Sequence, residues 1–254
     1  MALHNTWATH NRWAALALAA LALLGSGCTP RQEAEASRQL AFTRTVDLSQ
    51  VVREDVPYLP GEPRTRIARG GDGVIRQVQI GSRSGTLLRV VAAPDDTPTT
   101  IDDLSPRDLV LPAVVIDLRD QVQDHTGYRI SAGELEDWER RNGSIPKGAL
   151  VLLVTGWDVR WGDPATYLDL DSAGHAQSPS VGAEAALLLD RRGVIGLGID
   201  APDTAYTPAK GYRLLLENLT SLEQLPPTGA TVVVGALKIQ AAQISPARVI
   251  ALIP

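Results

Sequence analysis

The sequence predicts an α/β fold in which a mixed β core is flanked by helices. Apolar runs of strand length, at residues 110–118 and 150–155, alternate with helical patterns at 134–141 and 183–192. A chain of 254 residues suits one domain with an appendage. Its 44% hydrophobic and 21% charged residues are ordinary for a globular protein with a buried core. Phe42 is the single Phe, so that core must rest on Leu, Val, Ile and Ala.

The elements follow in order. Residues 110–118 are a β-rich run after Pro106. Ser131 with Glu134 three residues on is a capping box opening a charged helix at 134–141, which Asn142-Gly143 ends. Residues 150–155 are almost continuously apolar, as in a strand buried on both faces. Residues 183–192 read as a helix, with Arg191 and Arg192 at the negative end of its dipole and Gly193 as its stop. A strand follows at 194–199, a Leu-rich helix at 214–219, and strands at 231–234 and 247–253.

The N-terminus reads as a targeting segment. Residues 1–28 carry Arg12 in a positive start, an Ala/Leu run at 14–24 too short to span a bilayer, and the small residues Gly25, Ser26 and Gly27 before Cys28. That ending resembles a lipobox, although Gly25 stands where Leu is usual. The expectation is lipidation at Cys28 and an outer-membrane anchor on the periplasmic side; the alternative is a soluble periplasmic protein. Residues 29–44 read as a polar tether and 45–254 as the folded domain.

The net charge of −5 comes without a basic run, which excludes a nucleic-acid footprint. A single Cys excludes internal disulfides and Cys-based metal sites. The stretch Gly196-Leu197-Gly198-Ile199-Asp200-Ala201 fits a relaxed GxGxxA pattern, but its glycines lie inside a strand and Pro202 follows. They read as close-packing glycines and not as a dinucleotide turn. Asp169, Asp171 and His175 keep no calcium-loop spacing and read as a solvated acidic loop. His125-Thr126-Gly127 reads as a surface turn.

Taken together, several ordered segments resemble the cyclase family of arylformamidase-like metal hydrolases. Val46-Asp47-Leu48-Ser49, Glu54-Asp55-Val56-Pro57 and Pro60-Gly61 look like the family opening. Val114-Val115-Ile116-Asp117-Leu118 matches its central strand. Ile145-Pro146-Lys147-Gly148 through Val154-Thr155-Gly156-Trp157 matches its "IPxGxxVLLxTGW" segment. Gly196 to Pro202, with Asp203 where Ser is common, then Glu217-Asn218-Leu219-Thr220 and Pro246-Ala247-Arg248-Val249 continue the match to the C-terminus.

The resemblance implies a single cyclase-family domain and hydrolysis of amide or cyclic-amide bonds. It also implies a divalent metal, zinc or manganese, held through HxGTHxDxPxH and a later His. This chain departs there. Anchored by Gly85-Thr86, the motif's places fall on Arg83, Leu87, Arg89 and Ala93, and the later His falls on Gln177. His125 and His175 are the histidines beyond the signal, and a guanidinium has no lone pair to give a cation. No cofactor is therefore expected, and the site reads as degenerate.

Three functions remain open on this reading. The first is a non-catalytic protein binding an anionic small molecule or peptide carboxylate, with Arg83, Thr86, Arg89, Trp157 and Gln177 lining the old pocket. Its bland counterpart turns both arginines outward or pairs them with Asp95 and Asp96, and buries Trp157 in the core. The second is a hydrolase of the same class with relocated chemistry, using His175 with Asp169 or Asp171 and Thr86 as a nearby hydroxyl. The third is an envelope subunit pairing with a metal-competent relative. Homo-oligomers fit any of the three.

Overall fold

The long strands are built from alternating side chains whose two faces are both buried. The computed structural model describes residues 41–254 except 124, 203 and 205. The expected signal, Cys28, most of the tether, and Asp203 lie outside the described residues. In chain order the strands are β1 (Arg44–Asp47), β2 (Arg66–Arg69), β3 (Ile75–Gln79), β4 (Leu87–Ala92), β5 (Val110–Asp117) and β6 (Arg129–Ile130). They continue with β7 (Leu150–Val154), β8 (Ser180–Val181), β9 (Gly196–Ile199), β10 (Tyr212–Glu217), β11 (Thr228–Ala236) and β12 (Ile244–Ile253).

The main sheet runs β1-β12-β11-β5-β7-β9-β10-β4, and β12 also pairs with β4. The ring from β4 through β12 is thereby closed into a mixed seven-stranded barrel, as a single domain of the expected class. The pairings β5–β7, β7–β9 and β9–β10 are parallel, and the remaining pairings of the ring are antiparallel. One long strand completes the circle. β12 uses Ile244 to Pro246 against β4, and its far end, Ile250 to Ile253, against β1 on the same edge.

Period-two alternation divides the strand residues into two cores. Leu88, Val90, Val115, Leu152, Leu214, Leu216, Val232 and Val249 fill the barrel. Val114, Ile116, Val151, Leu153, Leu197, Ile199 and Leu215 point outward beneath the helices. Helix Ala132–Asn142 is capped by Ser131 and Glu134 as expected and lays Leu135 and Trp138 on this outer face. The Trp138 indole N–H donates to the Val115 carbonyl at 2.8 Å. Helix Ala183–Arg192 buries Ala185, Leu188 and Leu189, the i, i+3, i+4 stripe of an amphipathic helix. Arg192 grips Glu139 with two bonds of 2.7 Å and ties the helices together. No helix among the described residues is long and apolar enough to cross a membrane.

One expectation is corrected. Residues 214–219 are not a helix: Tyr212–Glu217 is strand β10, between β9 and β4. Leucine favours helices slightly, but here Leu214 and Leu216 fill the barrel while Leu215 meets the helical layer. Burial on both faces overrides a propensity of a few tenths of a kcal/mol. The remaining elements fall where expected, within a few residues.

Gly196 and Gly198 are strand residues, as the close-packing reading required. A Cβ on Gly196 would lie 2.2 Å from the Leu214 carbonyl oxygen. On Gly198 it would lie 2.5 Å from Leu152 Cδ2 and 2.8 Å from Leu219 Cδ1. Gly196→Ala is expected to destabilise the fold by about 2–3 kcal/mol in denaturant titrations. Gly162→Ala, where a Cβ meets nothing within 4 Å, is the near-neutral control. Equal midpoints for the two variants would refute the packing role.

Candidate functional site

The outer face of β4 carries the chemistry-bearing residues because the strand's period sets Leu87 and Arg89 on one side and Leu88 and Val90 inside the barrel. Arg89 lies opposite Leu215 in the β10 register, two residues from Glu217. Its Nη2 donates to Glu217 Oε1 at 2.5 Å and to the Thr204 carbonyl at 2.7 Å. Glu217 is 1% exposed and also accepts the Thr204 amide at 3.0 Å. Arg89 thus pairs with a distant acid and not with Asp95 or Asp96; Asp96 instead accepts the Gly211 amide. Two groups under this roof, Arg89 Nε and Thr204 Oγ1, are buried with no hydrogen-bond partner. Removing one partner of such a buried pair costs about 3–5 kcal/mol.

Behind β4 lies a polar network that holds the strand ends together. The Thr86 hydroxyl accepts the Gln50 amide at 2.9 Å and donates to the Asn218 carbonyl at 2.7 Å. Asn218 returns its side-chain amide to the Gly85 carbonyl at 2.6 Å and accepts the Tyr167 hydroxyl at 2.8 Å. Thr86 is 3% exposed, and its one proton is committed to the backbone. Trp157 is 1% exposed and donates its indole N–H to the Tyr167 carbonyl at 2.8 Å. The Arg160 guanidinium stacks 3.8 Å above its ring. Trp157 is accordingly a core residue.

Asp200 closes the end of β9. Its carboxyl accepts the amides of Thr155 and Gly156 and the Thr155 hydroxyl. Burial lifts its pKa from 3.8 to about 7, against the opposing Thr155 hydrogen bond. Burial likewise raises the Tyr167 phenol well above its usual range.

A cleft of about 470 Å³ opens beside this face. Arg83, from the turn before β4, lines it with Leu59, Pro60 and Glu62, Arg129 of β6, and Ser178 and Ser180 at β8. Gly174, His175 and Ala176 form its rim. Arg83 also lines a second hollow with Arg89 and residues 90–94. Thr86 lines neither: it faces a third groove, on the β12 side. The rim is a tight loop pinned by Asp171, whose Oδ1 accepts the amides of Ala173 and His175 at 2.8 and 2.9 Å. The His175 amide, with the other donors around it, holds the Asp171 carboxyl below its ordinary pKa. The His175 ring is 78% exposed and stands 3.5 Å from Asp171 Oδ2. Gln177 reaches the same carboxylate at 3.4 Å. Asp169 ends helix Pro164–Leu168 in the left-handed conformation.

The structure therefore brings Arg83 and His175 to one cleft and Arg83 and Arg89 to the next, while Thr86 and Trp157 belong to the framework. His125 lies in an exposed turn. Glu217, Arg129, Ser180 and Glu62 were missed by sequence reasoning. Only Glu217 carried a signal, as a charged residue closing a run of three leucines. Among the described residues, no group of three or more His, Cys, Asp or Glu side chains could hold a metal ion. Arg83, Leu87 and Arg89 do not fit a divalent cation, because the two guanidinium groups only donate and repel it and the leucine side chain has no lone pair.

A closed mixed barrel with helices over its parallel side and a polar cleft lined by Arg83 and Arg129 defines a single-domain scaffold of the α/β class. The chain belongs to the cyclase family: residues 46–206 match the family described as "Putative cyclase". It is 29% identical over 194 residues to an isatin hydrolase of Roseibium aggregatum, covering 69% of this chain and 73% of that protein. Isatin hydrolase A from Ralstonia solanacearum superposes with a TM-score of 0.74 at 28% identity, over 98% of this chain and 100% of that one. An isatin hydrolase bound to the product analogue thioisatinate gives 0.75 at 25% identity, over 96% and 99%.

A carboxyl lifted to about 7 holds its proton more tightly in the folded than in the unfolded state. The stability Asp200 contributes is full below its unfolded pKa and is lost as pH rises through the folded value, by at most about 1.4 kcal/mol per pH unit. The melting temperature of the wild type should therefore fall, relative to Asp200→Asn, between about pH 4 and pH 7. Parallel curves for the two proteins would show that Asp200 ionises normally.

Proposed function

We propose that this chain is a cell-envelope member of the cyclase family that binds an anionic small molecule beside β4 and has given up metal-assisted hydrolysis. The observation that carries this reading is the buried Arg89–Glu217 pair. On the resemblance described above, Arg89 and Leu87 stand where the family's metal ligands would be. A guanidinium fixed there to Glu217 leaves no lone pair for coordinating a metal ion. Arg83 lines one hollow with Arg89 and the neighbouring cleft with Arg129. Guanidinium forks lining a hollow offer carboxylates and other anions hydrogen bonds that neutral ligands match less well. The thioisatinate complex of a relative supports the use of this scaffold for holding a small molecule.

The test is elemental analysis of the purified mature protein after incubation with zinc and manganese and desalting, alongside an isatin hydrolysis assay with each metal. The expected result is no stoichiometric metal and a rate equal to the uncatalysed one. One tightly held metal per chain, with turnover, would sink the reading.

The envelope assignment rests on the sequence around Cys28. Cys28→Ala should move the protein from the membrane fraction to the soluble periplasmic fraction of its host. An unchanged distribution would rule out the lipid anchor.

A further inference from the structure

Strands β2 and β3 form a two-stranded sheet of their own, apart from the barrel. All five residues of β3 are exposed, and β2 is little better covered. Cross-strand partners share a face. Ile67 with Val78 and Arg69 with Ile75 therefore lie on one side, and Arg66 with Gln79 and Ala68 with Gln77 on the other. The first side is apolar apart from Arg69. Ile75 and Val78 on it are 45% and 47% exposed, and Val74 at the end of the turn is 51% exposed. Two strands with an open apolar face are marginal in water and call for a partner surface.

The hairpin is held at both ends. At the tip the Gly70 amide donates to the Val74 carbonyl at 2.9 Å, and Asp72 Oδ1 accepts the Val74 amide at 3.1 Å. Asp72 also takes the Arg76 guanidinium at 2.6 Å, which offsets the acid's charge. At the base the Ile67 amide donates to Glu54 Oε1 at 2.8 Å and ties the hairpin to the body.

Charge selects the partner. Residues 63–82 carry four arginines, Arg64, Arg66, Arg69 and Arg76, and one acid, Asp72, in a chain whose net charge is −5. A hairpin set against its own copy would bring these arginines face to face, which disfavours a two-fold contact there. A bilayer of anionic phospholipids suits both features. The apolar side chains enter the headgroup boundary and the guanidiniums take phosphates. Twelve residues, 29–40, separate Cys28 from the described domain, and they reach at most about 40 Å. A lipid on Cys28 would thus keep the hairpin close to the membrane.

We propose that the β2–β3 hairpin docks on the surface of an anionic phospholipid bilayer. The proposal rests on the envelope reading given above and adds an orientation to it. Alone the contact is reversible and does not survive the washing of a membrane fraction, so Cys28 remains the anchor.

The experiment is vesicle co-sedimentation of the mature chain carrying Cys28→Ala, which takes the lipid out of the comparison. Vesicles of equal parts phosphatidylglycerol and phosphatidylcholine should bind it at least about tenfold more strongly than phosphatidylcholine alone. Raising the salt to about 0.5 M should remove most of that difference. Arg66→Glu with Arg69→Glu, and separately Ile75→Ser with Val78→Ser, should each weaken binding about tenfold or more. Val159→Ser, at an 84% exposed valine outside the hairpin, should leave it unchanged. Melting curves check that each variant is folded, and the hairpin belongs to neither core. Equal binding to the two kinds of vesicle, or hairpin variants that bind like their parent, would overturn the docking. A stable dimer by light scattering, dissociated by the paired serine variant, would overturn it too and give the hairpin to a second copy. Neither result touches the envelope reading, which is decided by where Cys28→Ala partitions in the host.

Discussion

The structure depends on the closure of its barrel by β12. A sheet that curls must satisfy the backbone groups of its last edge, or leave a row of open donors and acceptors. β12 does this by length. Its whole inner stretch pairs with β11, its start pairs with β4, and its end is left for β1. β4 is thereby held between β10 and β12 with both edges bonded. Its outer face then becomes a rigid platform, on which Leu87 and Arg89 have fixed positions.

Closure also dictates which side chains the strands can carry. The barrel interior is narrow and is filled by branched aliphatics, so some positions must be empty. Gly196 and Gly198 are those positions: one lets β10 approach and the other leaves room for Leu152 and Leu219. The helical layer needs no such relief, and Trp138, Leu188 and Leu189 pack there against the alternate face of the same strands. Glycines that looked like a nucleotide signature are thus a consequence of packing.

The site shows how a scaffold can hold positive charge in two different ways. A metal ion needs lone pairs from several side chains, and its charge is supplied from solution. A guanidinium brings its own charge and needs acceptors, which Glu217 and the Thr204 carbonyl provide to Arg89. The pair is buried, so its desolvation cost is offset only while both members remain. The inner cation is therefore structural. Arg129 is exposed and lines the cleft.

Local signals in the sequence determined much of this. The capping box at Ser131 and Glu134, the stop at Gly193, and the apolar runs at 150–155 and 247–253 depend on neighbours within a few residues, and each is found in place. The order of the family-like segments determined the fold class, and the shortage of histidine was visible by counting. The strand nature of Tyr212–Glu217 was not legible, because it is set by β9 and β4 pairing on its two edges and by burial of its two faces. Nor was the pairing of Arg89 with Glu217, 128 residues apart in the chain. Arg129 meeting Ser180 across 51 residues is of the same kind. Hydrogen bonds and ion pairs act over a few ångströms, so which distant residues share one is decided only when the barrel closes and brings their strands side by side.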